Sequence, residues 1–280
     1  MNATLTPRPN GATSSLRKQR TIARSVTMSG IGFFTDADVT VEFQPADPDT
    51  GIVFERVDLP GSPSIPARLQ FAVERERRTV LECDGASIEL TEHVLAALAG
   101  LQIDNCRVLI DAGELPGGDG SSLCFVECLG KAGLVEQDAP RHCLVIGDDH
   151  SVQSDEGQSL ITATSSEDES LTISYRLDYG IVSPISPQRL TVEITPRSFL
   201  CELVWARTFV LESEVAALKA AGYGKRTTAK DLLVFGENGV IDNAVRAHDE
   251  CVRHKILDCL GDFALLGCDL VGRFEALRTG

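Results

Sequence analysis

Two short stretches of this sequence carry residue types that can bind a catalytic metal ion. His254 and Asp258 stand four positions apart in a segment with helical periodicity, so an imidazole and a carboxylate share one helix face. His93, at the head of another apolar segment, supplies a third ligand. Two histidines and one carboxylate make the three-ligand open site of a catalytic zinc ion, Zn²⁺. The pattern therefore predicts zinc bound by His93, His254 and Asp258.

The residue before His93 is an acid, Glu92. A carboxylate beside an open metal position can accept a proton from metal-bound water, which is how metal hydrolases make a nucleophile near neutral pH. Alone, a histidine and an aspartate four apart are more often only a solvated pair, and an acid at a helix start is more often there because the helix dipole favours it. The chain has only five histidines, however, and two of them begin long apolar helices, which favours the metal site. His142, His150 and His248 stand in polar segments and are predicted to be surface residues.

Length and composition exclude several classes of protein. A chain of 280 residues, 43% of them hydrophobic, can bury a substantial core and make two domains. Its formal net charge of −15, with one tryptophan and three tyrosines, argues against nucleic-acid binding. No apolar run approaches the ~20 residues that span a bilayer, so no transmembrane segment is expected. The oligomeric state stays open.

The N-terminus and the cysteines indicate the compartment. Residues 1–19 are polar and basic without the apolar core of a signal peptide, and we predict a disordered lead there. The nine cysteines are an odd number and include no C-x-x-C pair. Cys124, Cys128, Cys251 and Cys259 fall among apolar residues at helical spacing, as small buried hydrophobes do in a reducing compartment. We therefore expect a cytoplasmic protein.

Apolar periodicity and turn residues predict the elements that must position the site. Strands are expected from Thr21 onwards, and a helix capped by Thr91 runs to about Leu101. A polar break at residues 136–140 indicates a linker. Further strands are predicted at residues 105–111, 143–147, 159–164, 171–178, 190–195, 232–235 and 270–277, and further helices at residues 121–132, 196–205, 212–221 and 248–266.

The two halves of the sequence repeat one pattern. In each half a histidine opens an apolar helix, a glycine follows seven residues later (Gly100 and Gly261), and a strand comes next. This predicts an α+β fold of two similar domains, residues 20–137 and 141–280, each with helices packed on a β-sheet. Because each half supplies a ligand, we expect the active site at the interface between the domains.

Motifs along the chain stand in the order and at the spacing of one known family. They are Arg20-Thr21-Ile22, Gly30-Ile31-Gly32, Thr91-Glu92-His93, Ile103-Asp104-Asn105, Leu115-Pro116, Asp119-Gly120-Ser121, Ala206-Arg207-Thr208-Phe209 and Leu260-Gly261-Asp262. Over residues 18–280 the sequence resembles the zinc-dependent UDP-3-O-acyl-N-acetylglucosamine deacetylases of Gram-negative lipid A biosynthesis.

The resemblance implies the same metal site and a reaction. It makes His93, His254 and Asp258 the zinc ligands and Glu92 the general base. The implied reaction is hydrolysis of the N-acetyl group of a sugar-nucleotide substrate, in which zinc polarises the amide carbonyl and water attacks it. Members of the family fold as two domains with helices layered on sheets, which agrees with the repeat.

The resemblance also implies further roles. Thr208 matches a hydroxyl that helps to hold the oxyanion, Lys255 a basic residue at the substrate and transition state, and Asp262 an acid that orients a catalytic histidine. Contacts with the substrate are implied for Phe33, Phe34, Asp119, Phe209 and Lys255.

One departure from the family concerns the end of the sequence. The family's catalytic set closes with a Gly-His on the strand after the long helix, and the sequence here reaches that glycine at Gly280. The histidine protonates the leaving amine, and loss of one general acid typically lowers the rate by ~10²–10⁴. We therefore expect impaired catalysis from these 280 residues. The natural chain either continues past Gly280 or lacks this group, and an ending in an apolar strand without a cap or tail favours the first.

Two other departures concern the substrate. The family's G-x-G-L-H motif ends here in Phe34, which replaces a polar ring near the substrate's head group. The family's Gly-Gly-Ser-containing loop beside the acyl-chain passage corresponds to a stretch with Lys225, Arg226 and Lys230. Three cations there make a fatty acyl chain costly to accommodate unless they point to solvent.

Two alternatives follow from these departures. The first is a divergent family member that deacetylates another N-acetylated amino sugar, one without a long acyl chain, as the three cations suggest. The second is a non-catalytic sugar-nucleotide or metal-binding relative, as the absent histidine suggests. A purely binding protein has no need of Glu92 beside His93, which argues for the hydrolase.

Overall fold

The structure, a computed structural model, describes residues 17–75, 77–154 and 157–279. Residues 1–16 of the predicted disordered lead lie outside the described residues, and so does Gly280. The first strand begins at Lys18, two residues before the predicted start of the first domain.

The first half of the described chain is built mainly from strands, with two helices. Strands β1 to β10 span Lys18–Ile22, Val26–Ile31, Asp38–Pro45, Ile52–Arg56, Ser64–Pro66, Ala72–Val73, Val80–Cys83, Ala86–Glu89, Cys106–Ile110 and Leu134–Pro140, and helices α1 and α2 span Glu92–Gly100 and Leu123–Gly130.

The second half continues the mixture. Strands β11 to β19 span Cys143–Val145, His150–Gln153, Leu160–Thr164, Leu171–Leu177, Gln188–Glu193, Phe209–Leu211, Leu233–Gly236, Gly239–Val240 and Asp269–Leu277, and helices α3 to α5 span Pro196–Ser198, Glu212–Ala220 and Glu250–Ala264. A π-helical turn, Phe199–Leu203, continues α3 and completes the helix predicted for residues 196–205.

The main sheets of the two halves have the same strand order. In the first half the order is β2-β3-β9-β4-β5, and in the second it is β12-β13-β19-β14-β15. The central strand β9 runs antiparallel to β3 and parallel to β4, and β19 runs antiparallel to β13 and parallel to β14. The helix before each central strand, α1 or α5, carries the histidine. The predicted α+β fold with two similar halves is confirmed.

The expected linker at residues 136–140 is wrong in its local structure. These residues belong to β10, which pairs antiparallel with β1. The side chains of Glu136 and Asp138 are exposed, so the strand is held by backbone hydrogen bonds and carries no apolar periodicity that would indicate it. Because β10 reaches Pro140, the division into domains at residues 137 and 141 stays a prediction.

Helix α1 lies between the two hydrophobic cores. Val94, Leu95 and Leu98 belong to the core of the first half, whereas Ala96 packs into the core of the second half. A helix that is apolar around its whole circumference must be buried on all sides, and α1 is. The histidine at its start is therefore held where both halves meet.

Smaller expectations have mixed outcomes. Thr91 precedes α1, but its hydroxyl donates to the Thr79 carbonyl (3.2 Å) and does not cap the helix. His142, His150 and His248 are exposed, as predicted. All nine cysteines are free thiols in the described part of the chain, and Cys251 is buried. None of the described helices is long and apolar enough to cross a membrane.

Candidate metal centre and substrate cavity

Helices α1 and α5 bring the three predicted ligands together. His93 is the second residue of α1, and His254 and Asp258 lie one turn apart on α5. Gly261 allows the helices to approach, because a β-carbon there would stand 2.1 Å from the carbonyl oxygen of Glu92. The two imidazole rings consequently meet edge to face, with centroids 5.1 Å apart and an interplanar angle of 76°.

The potential ligand atoms converge on one point. Asp258 Oδ1 lies 3.3 Å from His254 Nε2 and 3.7 Å from His93 Nε2. One donor atom from each residue falls within 4.8 Å of the others, and both histidines are buried. The arrangement places two nitrogens and a carboxylate oxygen around a common centre, which is a donor set typical of catalytic zinc.

Hydrogen bonding shows that the donor atoms suit a cation. His254 Nδ1 lies 3.1 Å from the carbonyl oxygen of Ala206, so Nδ1 carries the proton and the Nε2 lone pair faces the cluster. Asp258 Oδ1 is buried yet has no hydrogen-bond partner among the described residues. A buried carboxylate oxygen without a donor is costly, and a metal ion would satisfy it. His93 Nδ1 also lacks a partner there.

The ligands also have the charge states that metal binding requires. Burial, and then the neighbouring His254, lowers the pKa of His93 to about 4, and burial lowers the pKa of His254. Burial acts to raise the pKa of Asp258, but His254, Lys255 and His93 together outweigh it and lower the pKa. At neutral pH the cluster therefore holds two neutral imidazoles and a carboxylate, the forms that coordinate metals.

Glu92 lies at the start of α1 beside the cluster and lines the cavity. Its Oε2 accepts a hydrogen bond from the backbone N–H of Thr79 (3.0 Å). Burial, and next the negative charge of Asp258, raises the pKa of Glu92 to about 8. A carboxylate with a raised pKa is a stronger base near neutral pH than an ordinary glutamate, which suits general-base catalysis.

The hydroxyl of Thr208 faces both histidines. Its Oγ1 lies 3.1 Å from His254 Nε2 and 3.5 Å from His93 Nε2. The same hydroxyl can donate to the carbonyl oxygen of Gly120 (3.1 Å), which also accepts the Thr208 backbone N–H (2.7 Å). Gly120 has a positive φ of 82° and so forms a turn that holds Thr208 at the cluster.

Lys255 and Asp262 flank the cluster on α5. Lys255 Nζ donates to Asp258 Oδ2 (3.1 Å), and although burial opposes it, the charge of Asp258 raises the pKa of Lys255. The side chain of Asp262 is exposed in the cavity, but desolvation by the surrounding protein raises its pKa to about 6, although its hydrogen bond from the Thr79 hydroxyl (2.6 Å) opposes that shift. Both side chains line the cavity, so a fixed cation and a second acid stand near the metal ligands.

A cavity of about 1040 Å³ opens onto the cluster and is lined by both halves of the chain. Of the substrate contacts implied by the sequence, Phe33, Phe34, Phe209 and Lys255 line it. Asp119 is not among the lining residues; its carboxylate accepts hydrogen bonds from Arg246 and Ser121. The site therefore has the predicted position, between the halves.

The cavity is also lined by residues that the sequence did not single out. The guanidinium of Arg78 stacks 4.2 Å above the ring of Phe34 and 5.6 Å from that of Tyr223, and these two rings also meet edge to face. Arg77 pairs with Glu214 of α4 (2.7 Å). Arg77 and Arg78, which precede β7, thus contact the second half beside the cavity. Three arginines among the four residues 75–78 were the available signal in the sequence.

Six apolar side chains of the second half line part of the cavity, and we call this lining the apolar arm. It consists of Val210, Val215, Leu218, Leu232, Val234 and Ile241.

The three cations that argued against an acyl chain, Lys225, Arg226 and Lys230, do not line the cavity. All three are exposed, and Arg226 pairs with Asp38 (3.0 Å). Thr227 and other small residues of the same loop line the cavity instead. The cations therefore point to solvent, which was the condition under which an acyl chain could be accommodated.

Comparison with known proteins agrees with these features. The family model LpxC, UDP-3-O-acyl N-acetylglycosamine deacetylase, matches residues 19–280. The chain is 36% identical over 263 residues to the UDP-3-O-acyl-N-acetylglucosamine deacetylase of Myxococcus xanthus (strain DK1622), covering 94% of this chain and 82% of that protein. Equally named proteins of Anaeromyxobacter sp. (strain Fw109-5) and Syntrophotalea carbinolica are 35% and 36% identical, covering 94% of this chain and 84% of each relative.

Proposed function

The chain belongs to the family of UDP-3-O-acyl-N-acetylglucosamine deacetylases, and we propose that it is a zinc-dependent hydrolase that removes the N-acetyl group of UDP-3-O-acyl-N-acetylglucosamine in lipid A biosynthesis. The observation that carries this proposal is the convergence of His93, His254 and Asp258 beside Glu92 in the lining of a large cavity. A metal-binding protein without catalysis would not need a buried acid of raised pKa beside its ligands.

In this proposal His93, His254 and Asp258 would hold the metal. A zinc ion bound there would supply Lewis-acid chemistry, by which the amide carbonyl is polarised and water becomes more acidic. Glu92 accepts a proton from the attacking water while the new carbon–oxygen bond forms. The carbon–nitrogen bond then breaks, acetic acid leaves, and the proton held by Glu92 passes to the amine nitrogen of the sugar.

Thr208 and Lys255 stabilise the negative charge that develops on the carbonyl oxygen. The position of the Thr208 hydroxyl against both histidines supports this role. The hydroxyl can turn from the carbonyl oxygen of Gly120 and donate to the substrate's carbonyl oxygen instead. Lys255 is charged and fixed by Asp258, so its ammonium group is available in the cavity without reorganisation. Phe33, Phe34 and Phe209 contact the substrate. Asp262 matches the acid that orients the family's catalytic histidine.

The apolar arm favours the acylated substrate over an unacylated one. A fatty acyl chain would bury its methylene groups against apolar side chains such as Val215 and Leu218, which is worth about 0.8 kcal/mol for each group. The cations that suggested an unacylated substrate are exposed and do not line the arm.

The test is metal content together with activity on two substrates. We expect about one zinc per chain by mass spectrometry, and release of acetate from UDP-3-O-acyl-N-acetylglucosamine with a higher kcat/KM than from UDP-N-acetylglucosamine. Glu92→Gln serves as the control for contaminating activity. Equal or higher kcat/KM on the unacylated substrate would support the divergent deacetylase, and zinc binding without activity on either would support the binding protein.

A further inference from the structure

Thr79 is joined to the start of α1 although it lies outside every motif that the sequence singled out. It comes directly before β7 and lines the cavity. Its carbonyl oxygen accepts two hydrogen bonds from Thr91, one from the backbone N–H and one from the hydroxyl, both of 3.2 Å. The backbone of Thr79 is therefore fixed to the residue that precedes the general base Glu92.

The remaining polar groups of Thr79 meet two acids on different helices. Its backbone N–H donates to Glu92 Oε2 (3.0 Å), and its hydroxyl donates to Asp262 Oδ1 (2.6 Å). Glu92 belongs to α1 and Asp262 to α5. One residue thus supplies a donor to an acid from each half of the chain, and both acids line the cavity.

These bonds fix the rotation of both carboxyl groups. Glu92 is buried, and a buried carboxylate that loses its donor turns to find another or takes up a proton. Asp262 is exposed in the cavity, so its bond to Thr79 holds a carboxylate that could otherwise turn towards solvent. Catalysis is sensitive to such movements, because a misplacement of 1 Å can lower a rate by on the order of 10²-fold.

We propose that Thr79 is a positioning residue for the deacetylation, and that it sets the relative placement of Glu92 and Asp262 through its hydroxyl and its backbone. This inference rests on the proposed function. The side chain acts through Asp262, and the backbone through Glu92. Because the side chain touches no reacting atom, its loss lowers kcat and leaves KM nearly unchanged.

The experiment compares Thr79→Val, which removes the hydroxyl at constant shape, with Thr79→Ser, which retains it. We expect Thr79→Val to lower kcat by on the order of 10- to 100-fold with bound zinc unchanged, and Thr79→Ser to recover most of that loss. Thr191→Val is the matched control, because it removes a strand hydroxyl bonded to Ser174 away from the cavity. Equal kcat in wild type and Thr79→Val, or an effect on KM alone, would overturn the inference.

A second measurement does not depend on activity. In unfolding experiments, Thr79→Val and Asp262→Ala should be strongly non-additive, because each removes one partner of the same hydrogen bond, whereas Thr191→Val and Asp262→Ala should be additive. If the wild-type protein has no deacetylase activity, the proposed function fails, while this cycle still measures the contact. Additive effects of Thr79→Val and Asp262→Ala would refute the positioning role even in an active enzyme.

Discussion

The carbonyl oxygen of Glu92 on α1 lies 2.1 Å from the place that a β-carbon of Gly261 on α5 would occupy. Real side chains do not approach a backbone oxygen so closely, so only glycine permits this contact between the helices. The contact decides how near His93 on α1 comes to His254 and Asp258 on α5. A glycine seven residues after a histidine is therefore a requirement of the site's geometry.

Gly261→Ala should separate α1 from α5 and disturb the cluster. Because the new methyl group would meet backbone atoms, which cannot move aside cheaply, we expect a loss of stability of about 1–3 kcal/mol and a reduced affinity for zinc. Gly130→Ala in α2 is the matched control, since it meets nothing within 4 Å and should be neutral or slightly stabilising. Thermal unfolding and zinc titration measure both. Similar behaviour of the two variants would contradict the contact.

His254→Ala and Glu92→Gln should separate metal binding from catalysis. The first removes a ligand, so bound zinc should fall sharply. The second removes the base and no ligand, so zinc should stay bound while kcat falls by ~10²–10⁴. His248→Ala, a substitution of an exposed histidine, should change neither quantity. Loss of zinc in Glu92→Gln with full zinc in His254→Ala would reverse the assignments.

Glu92 should make the zinc-free protein less stable as the pH rises. Its pKa is about 8 in the folded state against an ordinary value of 4.5, so between these values the folded state holds a proton that the unfolded state releases. Stability then falls with rising pH, by up to about 1.4 kcal/mol for each pH unit. Glu92→Gln abolishes this dependence. Urea unfolding of zinc-free protein should show a larger free energy of unfolding for Glu92→Gln, relative to wild type, at pH 8 than at pH 5. The same difference in free energy between variant and wild type at both pH values would refute the raised pKa.

Glu250→Ala should destabilise the fold strongly. Glu250 is buried at the start of α5, and its carboxylate forms an ion pair with the guanidinium of Arg207 (Nε to Oε1, 2.8 Å). Removing it leaves a buried cation without its partner, at a cost of about 3–5 kcal/mol. Glu275→Ala breaks an ion pair with Arg189 in which both side chains are exposed, and should change the free energy of unfolding by less than ~1 kcal/mol. Chemical denaturation compares them, and equal losses would contradict the burial argument.

Val215→Asp should impair the acylated substrate alone. It places a charge in the apolar arm on a half-buried position of α4, where the acyl chain would lose its apolar contact. We expect a lower kcat/KM for UDP-3-O-acyl-N-acetylglucosamine and no change for UDP-N-acetylglucosamine. Lys230→Ala is the control and should affect neither substrate, because this lysine is exposed. An equal decrease on both substrates would place the acyl chain elsewhere.

The sequence by itself determined the parts of the site that depend on local periodicity. The spacing of His254 and Asp258 placed both on one face of α5, and the repeated helix-glycine-strand pattern indicated two similar halves, which the identical strand orders confirm. These predictions succeed because a helix of 3.6 residues per turn fixes which side chains share a face, whatever the helix packs against.

The tertiary structure decided everything that depends on distant contacts. Thr79 lies 13 residues from Glu92 and 183 from Asp262, so its hydrogen bonds leave no trace in local spacing. The same holds for Arg78 against Phe34 and Tyr223, and for the backbone pairing of β10 with β1. Periodicity specifies the face that an element buries, but only the packing of the complete chain specifies which atoms meet there.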